Sequence, residues 1–221
     1  MCTPTQLVEL GFALACEKHE KIHSRWLDLY QKLKNARGND TPYDAGEHDG
    51  RIDCLLREME DDQRSYILET GKQSGHPNSR TKLQIQLTRY WISSSYEMLR
   101  TTSQAVDKES KFSQVITEHK NLFAAYRVPI SKQEPHKVGK SGTIQKYVSN
   151  EDIAAVTSDG KLVSIETPYE GAGTYRVRPL LDSDTGSIGF VVYDGKSKSL
   201  EGRPRRELSD TLLALGDILT D

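Results

Sequence analysis

Two histidines and a glutamate near the start of the chain have the types and the spacing of a zinc-binding motif. His19 and His23 stand four residues apart in the run HEKIH, and Glu20 follows the first histidine. On a helix, residues four apart project from one face, so both imidazoles can bind one Zn²⁺. The glutamate can then act as general base to a zinc-bound water. The motif therefore predicts metal-assisted hydrolysis, with Glu20 as the catalytic residue.

The same five residues resemble the metal-binding helix of the zinc peptidases. The resemblance implies a peptidase that carries zinc, and a catalytic zinc needs a third protein ligand. One peptidase class continues the motif with Gly-x-x-His, whereas Trp26 and Leu29 occupy those positions here. Another class uses a glutamate further along the chain, for which Glu47 is the candidate. The resemblance itself covers only the run HEKIH.

The motif also has two interpretations without catalysis. Cys16, His19 and His23 share one helical face, and Cys54 on the next predicted helix could supply a fourth ligand to a structural zinc. Alternatively, His19 continues an apolar stripe, His23 lies beside it, and Glu20 is a surface residue. The second interpretation needs no metal. We therefore expect no cofactor, with zinc as the alternative.

Arg127 is the candidate for a nucleic-acid contact. It stands in the run AAYRVPISKQEPHK, at the end of the fourth predicted helix. The predicted bundle resembles in layout the HEPN ribonucleases, which place an arginine and a histidine a few residues apart to act on an RNA phosphate. Gln133 stands at the histidine position, and glutamine is no general acid or base at neutral pH. The resemblance therefore implies a ribonuclease with a degenerate site.

The run RYWISSSYEMLR places aromatic residues among charged ones. Trp91 is expected in the core, and Tyr90 and Tyr96 are open to either a core or a contact role. Aromatic residues interleaved with arginine can form a ligand or protein contact surface. Glu97 lies among apolar residues, and we expect it to be partly buried against an arginine.

Three arginines lie together near the end of the chain. Arg203, Arg205 and Arg206 stand in the run GRPRRELSD, just before an acidic helix start. Such a cluster can hold a phosphate or an acidic partner. The alternative is a solvated loop. If Arg176 and Arg178 lie on a neighbouring strand, the local field is positive.

Composition and charge disfavour several classes of protein. Hydrophobic residues make up 35% and charged residues 28%, which suits a polar globular chain. The net charge of -2 lacks the positive excess of a general nucleic-acid binder. No apolar run approaches the roughly 18 to 20 residues of a membrane-spanning helix. Three unevenly spaced cysteines, without a C-x-x-C pair, favour reduced thiols. We therefore expect a cytoplasmic protein without a membrane partner.

Hydrophobic spacing predicts four amphipathic helices in the first 135 residues. The first is a single helix over about residues 5–36. The others are marked by Ile52 to Ile67, by Leu83 to Leu99 and by Phe112 to Tyr126, the last stopped by Pro129. The runs 35–50 and 74–79 collect Gly, Asn, Asp and Pro, so they predict loops. Short connections between the helices favour an antiparallel bundle.

Near residue 135, the pattern of the sequence changes from helical spacing to short β-prone runs. We predict a helical bundle over 1–134, a linker over 135–150 and a small α+β module over 151–221. The module contains a hairpin around Ser158-Asp159-Gly160, a second pair of strands in TYRVRPLL and SIGFVVYD, and a final helix, ELSDTLLALGDIL. The predicted fold class is mainly α with a small α+β tail: a bundle, then a small antiparallel sheet and a C-terminal helix.

The leading prediction for function is a non-enzymatic intracellular interaction or regulatory protein that binds another macromolecule, with a protein as the expected partner. The chain shows no complete set of catalytic residues, mixed charge throughout and two dissimilar modules. Two Gly-Lys-Ser runs lack the first glycine of a P-loop, so no nucleotide site is predicted. The alternative is a hydrolase, either a zinc peptidase or a degenerate ribonuclease.

Overall fold

Helices fill the first part of the chain, and short strands precede a last helix. A computed structural model describes residues 3–37, 45–71, 79–147 and 164–219. The helices are α1 (Pro4–Lys18), α2 (Glu20–Arg37), α3 (Ala45–Thr70), α4 (Ser79–Ala105), α5 (Lys111–Lys132) and α6 (Arg205–Ile218). The strands are β1 (Gly142–Tyr147), β2 (Ser164–Tyr169), β3 (Arg178–Leu181), β4 (Ile188–Asp194) and β5 (Ser199–Pro204).

This order of elements confirms the predicted fold class. β1 pairs with β2, and β3, β4 and β5 form a second antiparallel sheet in that order. The predicted strand pair TYRVRPLL and SIGFVVYD corresponds to β3 and β4, and the predicted last helix to α6. The predicted hairpin turn at residues 158–160 and most of the two predicted helix-connecting loops lie outside the described residues.

The predicted first helix is two helices. α1 ends at Lys18, the backbone of His19 leaves the helical region with φ −109° and ψ 37°, and α2 begins at Glu20. The His19 N–H still donates to the Ala15 carbonyl, and the His19 carbonyl accepts from the first turn of α2 at 2.9 Å. The backbone groups next to the break are thus satisfied. The break lets α2 pack in the core while much of α1 stays at the surface.

The third helix begins earlier than the predicted loop over 35–50 allows. Residues 45–50 are helical, and both Asp49 and Gly50 are buried. Gly50 packs directly on Trp26, because a Cβ at this position would lie 2.7 Å from the Trp26 Cβ. Packing of α3 on α2 therefore keeps helical a run whose glycines and aspartates favour a loop.

Two tryptophans form the centre of the core. The rings of Trp26 and Trp91 meet edge to face with centroids 6.0 Å apart, and Phe123 packs on Trp91 at 5.8 Å. All three side chains are fully buried, as expected for Trp91. The same cluster continues into Phe190 on β4 and into the leucines of α6. Helices and sheet therefore bury apolar surface against each other.

The last helix is held by the helices as well as by the sheet. Four leucines at three- and four-residue steps are buried: Leu208, Leu212, Leu215 and Leu219. Gly216 of α6 approaches Leu29 of α2, and the Lys32 ammonium donates to the Gly216 carbonyl at 3.0 Å. α6 is thus wedged between α2 and the β3–β4–β5 sheet.

Candidate functional site

α1 exposes apolar side chains that the other described residues leave uncovered. Leu7, Val8, Leu10 and Leu14 have 58%, 58%, 52% and 56% of their surface in solvent. We call these four side chains the α1 apolar surface. Like every helix in the part of the chain that the structure describes, α1 is too short or too polar to cross a membrane.

The ends of α1 are well defined by local chemistry. The Thr3 hydroxyl accepts from the Gln6 N–H, and the Gln6 side chain accepts from the Thr3 N–H at 2.9 Å, which completes a capping box. Pro4 occupies the first turn, where its missing N–H costs nothing. The helix therefore begins at a fixed residue, and its apolar side chains have a fixed direction.

A groove runs beside the α1 apolar surface, between α1 and α3. Its volume is about 500 Å³. The lining residues are Gly11, Leu14, Ala15, Glu17, Lys18, Leu55 and Glu58. Gly11 stands next to open space, since an added Cβ would meet no atom within 4 Å. Leucine and glycine side by side give a concave apolar floor that another backbone can approach closely.

Charged residues hold α1 on α3 and mark the end of the groove. Arg51 donates to Glu9 at 2.6 Å and lies 5.1 Å from the centroid of the Phe12 ring. At the other end, the Lys18 ammonium donates to Glu58 at 2.8 Å, and this hydrogen bond raises the pKa of Lys18. These contacts are at the surface, so each stabilises the docking of α1 only modestly.

The helix break lies within the HEKIH motif. His19 is the residue at the break, its Nε2 lies 2.6 Å from the Glu58 carboxylate, and Glu20 is exposed at the start of α2. The Nε2 atom of His23 is buried, with no hydrogen-bond partner among the described residues. Within those residues, no third ligand atom gathers with both histidines. The peptidase alternative therefore gains no support from this geometry.

One trio of possible metal ligands does form in the described chain. Ligand atoms of His19, Glu58 and Asp61 lie within 4.8 Å of one another. However, Lys18 already binds Glu58 at 2.8 Å, and Arg206 donates to Asp61 at 2.7 Å. Two cations therefore already neutralise the two carboxylates, and a divalent metal would compete with both.

Cys16 and Cys54 meet across α1 and α3. Their thiols hydrogen-bond to each other, and burial raises the pKa of both. The described histidines do not complete a ligand set around the two sulfurs. Cys2 lies outside the described residues. The predicted four-residue zinc site thus appears here as a thiol pair without His19 and His23.

The predicted arginine cluster is divided between the interior and the surface. Arg205 is fully buried, and its Nε and Nη2 donate to the two oxygens of Glu60 at 2.7 Å each. Its Nη1 donates to the buried Asp53 carboxylate. The guanidinium also lies 5.4 Å from the centroid of Trp91. All of its donors face protein, so Arg205 is not available to a ligand.

The other members of the cluster also have partners within the chain. Arg206 donates to Glu60 at 2.8 Å and to Asp61 at 2.7 Å, and Arg203 donates to Glu207 at 2.6 Å. Arg203 is partly exposed, and its ion pair lies within four residues of chain. The Arg206 contacts join the start of α6 to α3, and the Arg203 contact joins β5 to α6. The cluster therefore serves the attachment of α6 in this structure.

Arg127 and Tyr96 lie together on α5 and α4. The Arg127 guanidinium lies 5.2 Å from the centroid of the Tyr96 ring and 3.4 Å from the Glu97 carboxylate. Glu97 also accepts from Arg100 at 2.5 Å, which confirms its predicted pairing with an arginine. Tyr96 packs against the core, whereas Tyr90 is 57% exposed. Arg127 is thus already engaged by a carboxylate and an aromatic ring.

The α1 apolar surface is the feature that sequence reasoning missed. Its leucines have the spacing of a core-facing stripe that continues into Trp26 and Leu33, which gives no sign of their exposure. The missed signal is the run LVELGFALA, in which apolar residues surround the helix instead of following one stripe. A helix of that kind needs cover on several sides, and within the described chain α1 packs mainly on α3.

No known protein family, curated protein or solved structure matches this chain. The groove beside the α1 apolar surface is therefore described by its chemistry alone: leucines, a glycine that permits close approach, and carboxylates at one end.

Proposed function

We propose that this chain is a non-enzymatic, intracellular interaction protein, and that it binds an amphipathic helix of a partner protein on the α1 apolar surface. The observation that carries the proposal is the exposure of Leu7, Val8, Leu10 and Leu14, each by more than half of its surface. Large apolar patches with a polar rim mark interaction sites on soluble proteins.

The area of the surface favours a partner that covers the groove as well. Four such side chains expose on the order of 400 Å² of apolar area, and covering it would contribute roughly 10 kcal/mol before the entropy of association. Two copies meeting only through this surface would bury on the order of 800 Å², whereas a stable interface needs roughly 1,200 Å² or more. A partner helix that lies in the groove contacts α1 and α3 together.

The shape of the surface fits a helix. Leu7, Leu10 and Leu14 follow the three- and four-residue steps that helix-in-groove recognition uses. Gly11 lies between them and leaves room for close approach of a second backbone. A helix packed there would place its own apolar side chains on either side of Gly11.

Charge at the end of the groove selects a partner with basic residues beside its apolar face. Glu17 and Glu58 line the groove, and Lys18 is already bound by Glu58. Glu17 has no ion pair among the described residues. The C-terminal end of α1 adds partial negative charge from its carbonyl groups. A second α1 would bring another carboxylate to this point, so charge disfavours self-association.

A defined peptide tests the proposal. The probe is a fluorescein-labelled amphipathic peptide with leucines on one face and lysines beside them, and the matched peptide carries glutamates in place of the lysines. We expect fluorescence anisotropy to show binding of the lysine peptide, at least about tenfold tighter than the glutamate peptide. Leu10→Lys in the protein should weaken binding at least about tenfold.

Two further variants keep the test specific. Leu83→Lys changes an equally exposed leucine on α4, 53% against 52% for Leu10, and should leave binding unchanged. Gly11→Ala should stabilise free α1 by about 1 kcal/mol and still weaken the complex, because the new methyl group occupies the space of the partner. If Gly11 had only a structural role, the variant would not combine a more stable α1 with weaker peptide binding.

Three outcomes would overturn the proposal. One is an equal loss of peptide binding in Leu83→Lys. Another is a concentration-dependent dimer that becomes a monomer in Leu10→Lys, which would make the occupant a second copy of the chain. The third is sedimentation with phosphatidylcholine vesicles that Leu10→Lys abolishes, which would make the occupant a lipid surface.

A further inference from the structure

We propose that a cavity at the end of α5 binds a small organic oxyanion, namely a phosphate ester or a carboxylate with a short apolar body. The cavity has a volume of about 320 Å³. It is lined by Arg89 from α4, by Pro129, Ile130 and Gln133 from the end of α5, and by Arg176 and Val177 before β3. These elements are separate from the α1 apolar surface, so the two sites can be tested independently.

Among the described residues, two cations and no carboxylate line the cavity. The Nε of Arg89 is buried without a hydrogen-bond partner among the described residues, and its guanidinium lies 5.7 Å from the centroid of the Phe190 ring. Arg176 is exposed and has no ion pair in the described chain. By contrast, Arg205 binds two carboxylates. A buried charged donor without a partner is costly, and an oxyanion in the cavity would supply the missing acceptor.

The segment that carries Arg176 is fixed to the rest of the fold. Gln133 caps α5 in the left-handed conformation, with φ 54°, and its carbonyl accepts from the Gly173 N–H at 3.3 Å. Tyr175 is buried, and its hydroxyl oxygen accepts from the Tyr193 N–H at 2.8 Å. Both anchors lie within three residues of Arg176. The backbone of this arginine is therefore held in place beside the cavity before any ligand binds, which reduces the entropy lost on binding.

The lining defines the chemical class of the ligand. A guanidinium binds phosphate and carboxylate through parallel N–H donors, and two guanidiniums at one cavity favour an anion over a neutral molecule. Pro129, Ile130 and Val177 supply an apolar wall that inorganic anions cannot use. A volume of about 320 Å³ is at the small end of ligand cavities. The ligand is thus a small anion with an apolar part.

Calorimetric titration with three probes tests the site. Phenyl phosphate and benzoate share one apolar ring and differ in the oxyanion, and inorganic phosphate lacks the ring. We expect phenyl phosphate or benzoate to bind with a Kd below about 1 mM, and the tighter of the two identifies the oxyanion. Inorganic phosphate should bind at least about tenfold more weakly than phenyl phosphate, because it cannot contact the apolar wall.

Single substitutions locate the binding. Arg176→Gln and Arg89→Gln should each weaken the tighter ring-bearing probe at least about tenfold. Arg80→Gln is the matched control, since Arg80 lies on the same helix as Arg89 but pairs with Asp62 at the surface, and it should leave binding unchanged. If Arg89→Gln unfolds the protein, Arg176→Gln decides, because Arg176 is exposed.

Any one of three results would contradict the proposed anion site. Neither ring-bearing probe binds with a Kd below about 1 mM, or Arg176→Gln binds like the unchanged protein, or inorganic phosphate binds as tightly as phenyl phosphate. Failure of this site leaves the peptide-binding test on α1 unaffected.

Discussion

Asp49 is a carboxylate without an ion pair among the described residues. Its side chain is fully buried in α3, and neither oxygen has a hydrogen-bond partner within the described residues. Burial raises the pKa of Asp49 to about 7, while the nearby Ser94 hydroxyl on α4 opposes the rise and the Asp53 carboxylate adds to it. The group is therefore protonated in the folded protein at mildly acidic pH and ionised above neutrality.

Asp49→Asn should make the protein more stable at high pH. The folded pKa of about 7 lies above the unfolded value of 3.8, so the folded state binds the extra proton between these values. Its contribution to stability is complete below about pH 4 and is lost as the pH rises through 7, by roughly 4 kcal/mol. We expect urea unfolding to show a gain for Asn that is small at pH 4 and several kcal/mol at pH 8.

Asp62→Asn serves as the control for this substitution, because Asp62 is on the same helix and 67% exposed at its side chain. Its free energy of unfolding should follow that of the unchanged protein at every pH. If Asp49→Asn does the same, Asp49 is not the titrating group.

The cysteine pair should be unreactive in the folded protein. Burial raises the pKa of the Cys16 and Cys54 thiols, so little thiolate is present at pH 7.5, and Cys54 is fully buried. In a Cys2→Ser background, we expect iodoacetamide to modify neither thiol at the rate of a free cysteine until urea unfolds the chain. Rapid modification of Cys54 without urea would contradict this geometry.

At the scale of elements, α6 is attached to α3 by a buried set of charges. Arg205→Met would leave the carboxylates of Asp53 and Glu60 buried without their main cation. Breaking a buried pair in this way costs about 3 to 5 kcal/mol. Arg203→Met removes only a partly exposed pair with Glu207 and should cost less than about 1 kcal/mol. Urea unfolding of both variants measures the difference, and equal losses would contradict the buried network.

The sequence could indicate the arginines but not their partners. The run GRPRR shows three guanidiniums together, whereas Asp53 and Glu60 lie about 150 residues away in the chain, and only the folded core brings them to Arg205. The helix break at His19 could not be predicted from the sequence either, because apolar residues recur at helical spacing on both sides of it. Periodicity predicts which residues are helical, but it carries no information on which helix face finds a partner.

Gly186 fits α3 so closely that no side chain can replace its hydrogen. Its φ is +69°, and an added Cβ would lie 2.0 Å from the Glu60 carbonyl oxygen and 2.7 Å from the Arg64 nitrogen. Its own carbonyl accepts from the Gln84 side chain at 3.1 Å. Gly186→Ala should therefore separate the β3–β4 turn from α3 and cost several kcal/mol.

Gly173→Ala serves as the control, because it separates the effect of the positive φ from the effect of the close contact with α3. Gly173 also has a positive φ, +86°, but an added Cβ would meet nothing within 4 Å. Only the strain of the left-handed conformation should appear, roughly 1 to 2 kcal/mol. If the two variants have the same melting temperature, the close contact between α3 and the β3–β4 turn at Gly186 is contradicted.

At the scale of the whole molecule, the helices and the sheet share one apolar core. Trp26, Trp91 and Phe123 from the helices belong to the same buried cluster as Phe190 and the leucines of α6. Gly186 and Arg205 add polar contacts across the same junction. This shared core predicts that the two parts on either side of residues 135–150 do not fold separately, because each part would expose core on its own.

The chain 1–134 should not fold by itself. Without α6, Asp53 and Glu60 lose Arg205, and the apolar faces that meet β4 and α6 lie in water. We expect a red-shifted tryptophan emission and no cooperative urea transition, whereas the full chain should unfold in one transition by both circular dichroism and tryptophan fluorescence. Co-expression of 135–221 should restore the blue-shifted emission of buried Trp26 and Trp91. If 1–134 instead unfolds cooperatively with buried tryptophans, the bundle is an independent domain, and the contacts with α6 are an interface between two domains.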